Sequence, residues 1–237
     1  MKYYLQEIAE VFKNISSGEN GLSSAEAEKR LEANGKNKLD EGKKKTIFQR
    51  IIEQLSDPMI IILIIAAAIS AVTEYIEATG AGHSFFPTDT IIILAVVIIN
   101  AVLGVYQENK AEKAIDALKA MTKAKCKVMR DGIVRILNSE DLVVGDIIVL
   151  EAGDAVPADA RIIECASMKI EEAALTGESV PVTKFIDIIN LREGEKDVPL
   201  GDRKNMLYMG STVVYGRGTA VVTATGMDTE MGKIAGA

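Results

Sequence analysis

The run Thr176-Gly177-Glu178-Ser179 places two hydroxyl side chains, a glycine and a carboxylate within four residues. A carboxylate on an exposed turn can orient a water molecule and accept its proton during hydrolysis. The glycine gives the backbone freedom at this turn and lets the loop approach another surface closely. We therefore take Thr176, Gly177, Glu178 and Ser179 as the candidate catalytic residues. An ordinary surface turn is the simpler interpretation of so short a motif, so the surrounding elements must decide between the two.

Predicted strands lie on both sides of this run. Residues 147–150 and 161–164 precede it, and residues 206–225 follow it, with glycines between the apolar segments. Residues 183–196 are predicted to form a long exposed loop. The candidate residues therefore lie in a turn between two strand-rich blocks of a mainly-β domain.

A hairpin is predicted at the start of this domain. Residues 126–130 and 133–136 alternate with a period of two on either side of Asp131-Gly132. An Asp-Gly pair between two such runs is a strong signal for a two-residue β-turn, because both positions tolerate positive φ.

Two almost wholly aliphatic runs, residues 59–72 and 90–105, predict two membrane helices. Each is shorter than the roughly 18 to 20 apolar residues of a lone span, so two buried core helices are the alternative. The segment between them, residues 73–89, contains three acidic residues and no Lys or Arg, whereas basic residues lie outside both runs. The excess of basic residues on one side predicts a hairpin with both ends in the cytoplasm.

The second apolar run continues into an amphipathic helix over residues 108–121, which could serve as a stalk that transmits force. A capping box formed by Ser23 and Glu26 predicts a short helix near the start of the chain. The predicted organisation has five parts: an N-terminal cytoplasmic helical segment and basic linker (1–50), a first transmembrane helix (51–78), a second transmembrane helix and stalk (88–121), the mainly-β cytoplasmic domain (122–227), and the start of a further stalk helix (228–237).

Charge and cysteine usage exclude some classes of function. The formal net charge of -7 over 237 residues argues against a nucleic-acid partner, which would require a basic face. Cys126 and Cys165 have no metal-ligand spacing and are interpreted as reduced, buried thiols. The single histidine, His83, has no partner histidine or cysteine nearby and is interpreted as solvated.

Asp146, Asp154 and Asp159 could suggest a metal cluster. Their glycine and proline neighbours favour turn caps instead, because Asp readily accepts hydrogen bonds from nearby backbone amides. We predict no metal ligand and no cofactor-binding residue in this chain.

Four motifs occur together in one order along the chain. They are Pro-Ala-Asp-Ala-Arg-Ile (157–162), Leu-Thr-Gly-Glu-Ser (175–179), Asn-Met-Leu-Tyr-Met-Gly (205–210) and Gly-Lys-Ile (232–234). Together they resemble the front end of a P-type cation-transporting ATPase. Residues 21–24 are similar to the amino-terminal element of that family. Residues 52–58 and 100–117 are most similar to the sarco/endoplasmic-reticulum-type calcium pumps and their bacterial relatives.

The resemblance implies a fold and a role for each candidate residue. The mainly-β domain would be the actuator domain, a distorted β-jelly-roll, and the loop over residues 176–179 would visit a phosphorylated aspartate. Glu178 would orient the hydrolytic water and take its proton, while Thr176 and Gly177 would shape the loop and exclude bulk water. Movement of this domain would pull on the stalk and couple hydrolysis to a membrane gate.

The phosphorylation motif Asp-Lys-Thr-Gly-Thr does not occur in these 237 residues. The resemblance therefore implies that ATP and Mg²⁺ are bound by other domains of the same pump, with Ca²⁺ as the transported ion. The implied partners are those domains and the lipid membrane of the cell surface. Ser56 stands where animal calcium pumps carry a glutamate, which leaves a pump for sodium, manganese or magnesium open. A non-enzymatic, membrane-anchored interaction module is the alternative from a different class.

Overall fold

The computed structural model describes residues 1–40, 45–81, 86–121, 124–191, 194 and 197–236. The chain forms two compact units. One combines Met1–Asp40 with Lys123–Ala237, and the other is Glu41–Thr122. The candidate residues 176–179 belong to the first unit.

The first unit is built on one antiparallel sheet, which confirms the mainly-β prediction. Its strands are β1 (Lys125–Arg130), β2 (Ile133–Asn138), β3 (Ile147–Glu151), β4 (Asp159–Glu171), β5 (Val182–Thr183), β6 (Met206–Leu207) and β7 (Thr212–Ala224). The order across the sheet is β2-β1-β3-β7-β4-β5, and β6 pairs with β4. Every one of these pairings is antiparallel.

The predicted hairpin is confirmed. Strands β1 and β2 pair with Arg130 opposite Ile133, so Asp131 and Gly132 alone form the turn. Both turn residues have positive φ, 55° and 72°, as a type I′ turn requires.

The two longest strands, β4 and β7, have 13 residues each and pair along most of their length. The predicted strand 161–164 covers only part of β4. Four register shifts interrupt the β4–β7 pairing, so β4 lacks the simple alternation by which its ends could be recognised. The predicted block 206–225 divides into β6 and β7.

The main apolar core of this unit lies against the sheet. Val128, Ile148, Ile162, Val213 and Val222 are fully buried in it. Burial of apolar side chains is the dominant favourable contribution to folding, and here it fixes β4, the long strand from whose end the candidate loop extends.

Two N-terminal helices pack against this domain. Helix α1 (Ile8–Ile15) lies within the predicted N-terminal helical segment, although its own bounds were not predicted, and Ile8, Phe12 and Ile15 follow helical spacing. Its buried side chains form a second apolar cluster with Ile147 and Val221.

Helix α2 (Ser24–Asn34) begins at the predicted cap. The Ser23 hydroxyl accepts a hydrogen bond from the Glu26 amide at 3.2 Å. The Glu26 carboxylate instead accepts from Arg30 Nε at 2.8 Å, so the reciprocal bond of the predicted capping box is not formed.

The second unit contains three helices: α3 (Ile47–Leu55), α4 (Pro58–Ala81) and α5 (Thr88–Met121). Two of them, α4 and α5, contain candidate membrane spans of 23 and 31 residues and are long enough to cross a membrane, and an 18-residue window within each span has a mean hydropathy of 2.3. Only 11% of each of these windows is buried. The structure therefore matches the prediction of two long apolar helices rather than buried core helices.

The start of the first apolar helix differs from the predicted range 51–78. Residues 47–55 form the separate helix α3, and α4 begins at Pro58 because proline has no amide hydrogen and is favoured at a first helical position. The Asp57 carboxylate accepts from the Met59 amide at 2.8 Å and caps this new start.

The acidic segment predicted to join the two spans, residues 73–89, is helical up to Ala81. Residues 82–85, which include His83, lie outside the described residues. The Glu74 carboxylate accepts hydrogen bonds from the Asp89 amide and the Thr90 hydroxyl, at 2.8 and 2.9 Å, so the two helices are joined at this end.

Candidate functional site

The candidate loop, residues 176–179, follows a single helical turn, α6 (Ala173–Thr176), at the end of β4. The Gly177 amide donates to the Ala173 carbonyl at 2.9 Å and closes that turn. Gly177 itself has φ +75°, in the left-handed region that favours glycine. The chain therefore turns sharply at Gly177, immediately before the candidate carboxylate.

Thr176 holds the two sides of this turn together. Its hydroxyl donates to the Glu172 carbonyl at 3.1 Å and accepts from the Glu178 amide at 3.3 Å. A threonine hydroxyl can do both at once, because it carries one donor and two acceptor lone pairs. Thr176 thus fixes the backbone of Glu178 relative to the end of β4.

The tip of the loop is exposed. Gly177, Glu178 and Ser179 are all exposed, and Val180 keeps 74% of its accessible surface. Within the described residues, the Glu178 carboxylate makes no hydrogen bond or ion pair. A carboxylate in this position is free to accept a proton or a hydrogen bond from a molecule or surface outside this domain.

The base of the loop is packed. Leu175 contacts an apolar cluster formed by Tyr4, Val198, Met206 and Tyr208. An exposed tip on a buried base is the arrangement expected of a loop that a rigid scaffold presents to a partner surface.

A buried ion pair lies directly beneath this base, and no sequence pattern indicates it. Lys184 Nζ lies 2.5 Å from Glu172 Oε1, and the two side chains are 0% and 1% exposed. Burial raises the pKa of Glu172 and lowers that of Lys184, and the attraction between the two opposes both shifts. The only signal in the sequence is the presence of two charged residues next to apolar strand residues.

The three aspartates considered for a metal cluster accept hydrogen bonds from backbone amides at separate places. Asp146 accepts from Val143 at 3.0 Å and pairs with Arg130, and Asp154 accepts from Glu151 at 2.9 Å. Among the described residues, no group of three or more His, Cys, Asp or Glu side chains could hold a metal ion. Their contacts are those of turn caps.

The third aspartate, Asp159, joins two parts of the domain. Its carboxylate accepts from the Met209 amide at 2.9 Å and from the Glu230 amide, at the start of α7 (Glu230–Ala235), at 2.7 Å. Burial raises its pKa to about 6, although both amide bonds oppose that shift.

The two cysteines are free thiols but differ in exposure. Cys126 is buried, and burial raises its pKa to about 11. Cys165 is half-buried, which corrects the prediction that both are buried, because its side chain packs against the main core without being enclosed by it. Its thiol donates to the Lys184 carbonyl at 3.6 Å.

Comparison with known proteins gives two family matches. Residues 120–237 match the P-type ATPase actuator domain, and residues 3–70 match the cation transporter/ATPase N-terminus. Together they cover most of the first unit and the first half of the first apolar helix.

Curated relatives align along nearly the whole chain. A calcium-transporting ATPase of Listeria monocytogenes is 42% identical over 236 residues, which is 100% of this chain and 25% of that protein. Calcium-transporting ATPase 1 of Bacillus cereus is 46% identical over 218 residues, covering 92% of this chain and 23% of the relative. The endoplasmic reticulum-type calcium-transporting ATPase 2 of Arabidopsis thaliana is 39% identical over 219 residues, covering 90% and 20%. The chain spans about a quarter of the length of the relatives it matches.

Proposed function

The chain belongs to the P-type cation-transporting ATPases, and we propose that it is the N-terminal membrane and actuator portion of an ATP-driven calcium pump. The observation that carries this proposal is the exposed Glu178 carboxylate at the tip of a loop in a domain that matches the actuator family. Calcium is proposed as the cargo because the similar proteins include calcium-transporting ATPases from bacteria and a plant.

The proposed chemistry is hydrolysis of an aspartyl-phosphate formed elsewhere in the complete pump. A water oxygen attacks phosphorus in line with the departing aspartate oxygen, and the P–O bond to the aspartate breaks. Glu178 orients this water and accepts its proton, which leaves inorganic phosphate and a free aspartate carboxylate. The exposed carboxylate, without a competing partner among the described residues, suits this role.

The other three candidate residues shape the loop that carries Glu178. Gly177 supplies the left-handed turn, and the Thr176 hydroxyl ties the Glu178 amide to the end of β4. In the proposal, Ser179 completes the tip and helps to exclude bulk water when the loop contacts the phosphorylated aspartate. Exclusion of water strengthens each electrostatic interaction at the reacting centre.

ATP and Mg²⁺ are assigned to the remainder of the pump. The glycines of this chain form no phosphate-binding loop of the Gly-x-x-x-x-Gly-Lys type, and the described residues offer no cluster suited to a metal ion. The described residues therefore do not fit either group.

The two apolar helices make the protein an integral membrane protein, and we propose that α4 and α5 cross the cell membrane. The basic residues outside the two spans favour a cytoplasmic location for both ends of this hairpin and for the actuator domain. The partners proposed are the lipid membrane and the phosphorylation and nucleotide-binding domains of the same pump.

The proposal is tested on the complete pump in sealed vesicles. Ca²⁺ should stimulate ATP hydrolysis and be taken up, whereas Na⁺, Mn²⁺ or extra Mg²⁺ should not replace it. With Glu178→Gln, turnover should fall while the amount of phosphoenzyme per protein stays level or rises. Stimulation by one of the other cations alone would contradict calcium as cargo, and normal turnover of the variant would contradict the role of Glu178.

A further inference from the structure

Glu172 and Lys184, which form the buried ion pair, flank the candidate loop in the sequence. Glu172 lies four residues before Thr176, and Lys184 lies five residues after Ser179. Their side chains meet at 2.5 Å, with exposures of 1% and 0%. The pair therefore closes the neck of the loop, where the chain leaves β4 and returns beside it.

The backbone at each end connects this pair to the loop and to the sheet. The Glu172 carbonyl accepts from the Leu175 amide at 2.9 Å, the Thr176 amide at 3.0 Å and the Thr176 hydroxyl at 3.1 Å. On the other side, the Lys184 amide donates to the Met168 carbonyl of β4 at 2.9 Å. A displacement of Glu172 would consequently move Thr176, and Thr176 in turn holds the Glu178 amide.

The two charges depend almost wholly on one another. Apart from their mutual contact, neither the Glu172 oxygens nor Lys184 Nζ have a hydrogen-bond partner among the described residues, and the ring of Tyr208 has its centroid 5.9 Å from Nζ. Removal of one partner would leave the other charge buried and uncompensated, which is strongly destabilising.

Stability does not explain the pair. The desolvation of two buried charges offsets most of their attraction, so replacement of both by apolar residues of similar size is often neutral or stabilising. An ion pair nevertheless holds two backbone segments at one distance and register, whereas two flexible apolar side chains can repack in several ways.

We propose that the Glu172–Lys184 ion pair is a positioning device for the hydrolytic step, because it fixes the neck of the loop and thereby the orientation of Glu178. This inference rests on the proposed role of Glu178. Neither Glu172 nor Lys184 touches the reacting atoms, and both act through Thr176 and the loop backbone.

The test uses the complete pump with the double substitution Glu172→Met and Lys184→Met. A misplacement of about 1 Å at a reacting centre can slow a step by about a hundredfold. We expect the labelled phosphoenzyme to form from ATP to the wild-type level and to decay about ten- to a hundredfold more slowly. The matched control replaces Lys127 and Glu151 by Met. These residues form an exposed 3.0 Å ion pair in the same sheet, and their loss should leave the decay rate unchanged.

A second readout does not depend on activity. Amide hydrogen exchange should become faster for the bonded amides of Leu175, Thr176 and Gly177 in the double variant, while the β1–β2 hairpin keeps its protection. If the double methionine variant does not fold, the double variant Glu172→Gln and Lys184→Gln replaces it. That pair can keep a neutral hydrogen bond, so its decay rate should lie between those of the wild type and of Glu178→Gln.

The outcomes separate this inference from the function on which it rests. A folded double variant with wild-type decay and wild-type amide protection would overturn the positioning role, as would a failure to form phosphoenzyme. Equal slowing in the Lys127/Glu151 control would do the same. If Glu178→Gln itself decayed at the wild-type rate, the proposed role of Glu178 would fail regardless of the pair.

Discussion

Substitution of Gly177 by alanine should slow hydrolysis through backbone strain alone. Gly177 has φ +75°, and a Cβ built on it would meet no atom within 4 Å, so the variant introduces no clash. An L-residue in the left-handed region costs roughly 1–2 kcal/mol. Because the loop tip is exposed, it can relieve that strain by leaving the native turn. At about 1.4 kcal/mol per factor of ten, the native loop conformation then becomes about five- to thirtyfold less populated.

The assay is the decay of labelled phosphoenzyme in the complete pump carrying Gly177→Ala, which should be about five- to thirtyfold slower than in the wild type. Gly153→Ala is the matched control. Gly153 has φ +99°, a Cβ added to it would also meet no atom within 4 Å, and it belongs to a different turn. It should carry a similar strain and leave the decay rate unaltered. Decay of Gly177→Ala within about twofold of the wild type would show that the left-handed turn does not control hydrolysis, as would equal slowing by Gly153→Ala.

Two further predictions concern stability and local order. The pKa of Asp159 is about 6 in the folded protein against 3.8 ordinarily, so the folded state binds more protons between these values and stability falls as pH rises through them. Asn at this position does not titrate. Between about pH 4 and about pH 6.5, the unfolding free energy of the wild type should therefore fall relative to that of Asp159→Asn by at most about 3 kcal/mol. A difference between the two proteins that does not change with pH would contradict this. In the second unit, the Arg50 side chain is 7% exposed and pairs with Glu112 at 2.5 Å, so Arg50→Met should accelerate amide exchange across α3. Lys45→Met, which removes an exposed ion pair, should change the exchange of α3 little. Equal acceleration by the two substitutions would show that the buried Arg50–Glu112 pair has no specific role in holding α3.

Local chemistry explains which parts of the fold could be predicted. The Asp131-Gly132 turn could be predicted because two positive φ angles select these residues, and the turn then sets the hairpin register. The two apolar helices could be predicted because their composition alone identifies them. The start of α4 is also encoded locally, at Pro58. Helix α3 could not be predicted, because the basic residues before it are as typical of a linker as of a helix.

The remaining features depend on contacts that are distant in the sequence. The 13-residue strand β4 pairs with β7 across four register shifts, and this long-range pairing, rather than a local pattern, shows where β4 ends. The Glu172–Lys184 pair forms because β5 returns beside Ile170, which brings together two residues separated by a whole loop. No periodicity in the sequence predicts such a pair, whereas the glycine and the hydroxyl beside Glu178 identify the loop from its composition.

The role of Glu178 in hydrolysis is tested most directly by the rate at which the phosphoenzyme decays when Glu178 is replaced by Gln in the complete pump. The substitution keeps size and polarity and removes the base. Loss of a positioned general base typically slows its step by about a hundred- to ten-thousandfold. The matched control is Glu171→Gln, an exposed glutamate at the end of β4 in the same domain.

The measurement is a chase of labelled phosphoenzyme with unlabelled ATP, with wild type, Glu178→Gln and Glu171→Gln side by side. We expect all three proteins to form phosphoenzyme and the control to decay like the wild type. Glu178→Gln should decay at least about a hundredfold more slowly, as expected for loss of a general base. Equal decay rates for Glu178→Gln and the wild type would contradict this role of Glu178.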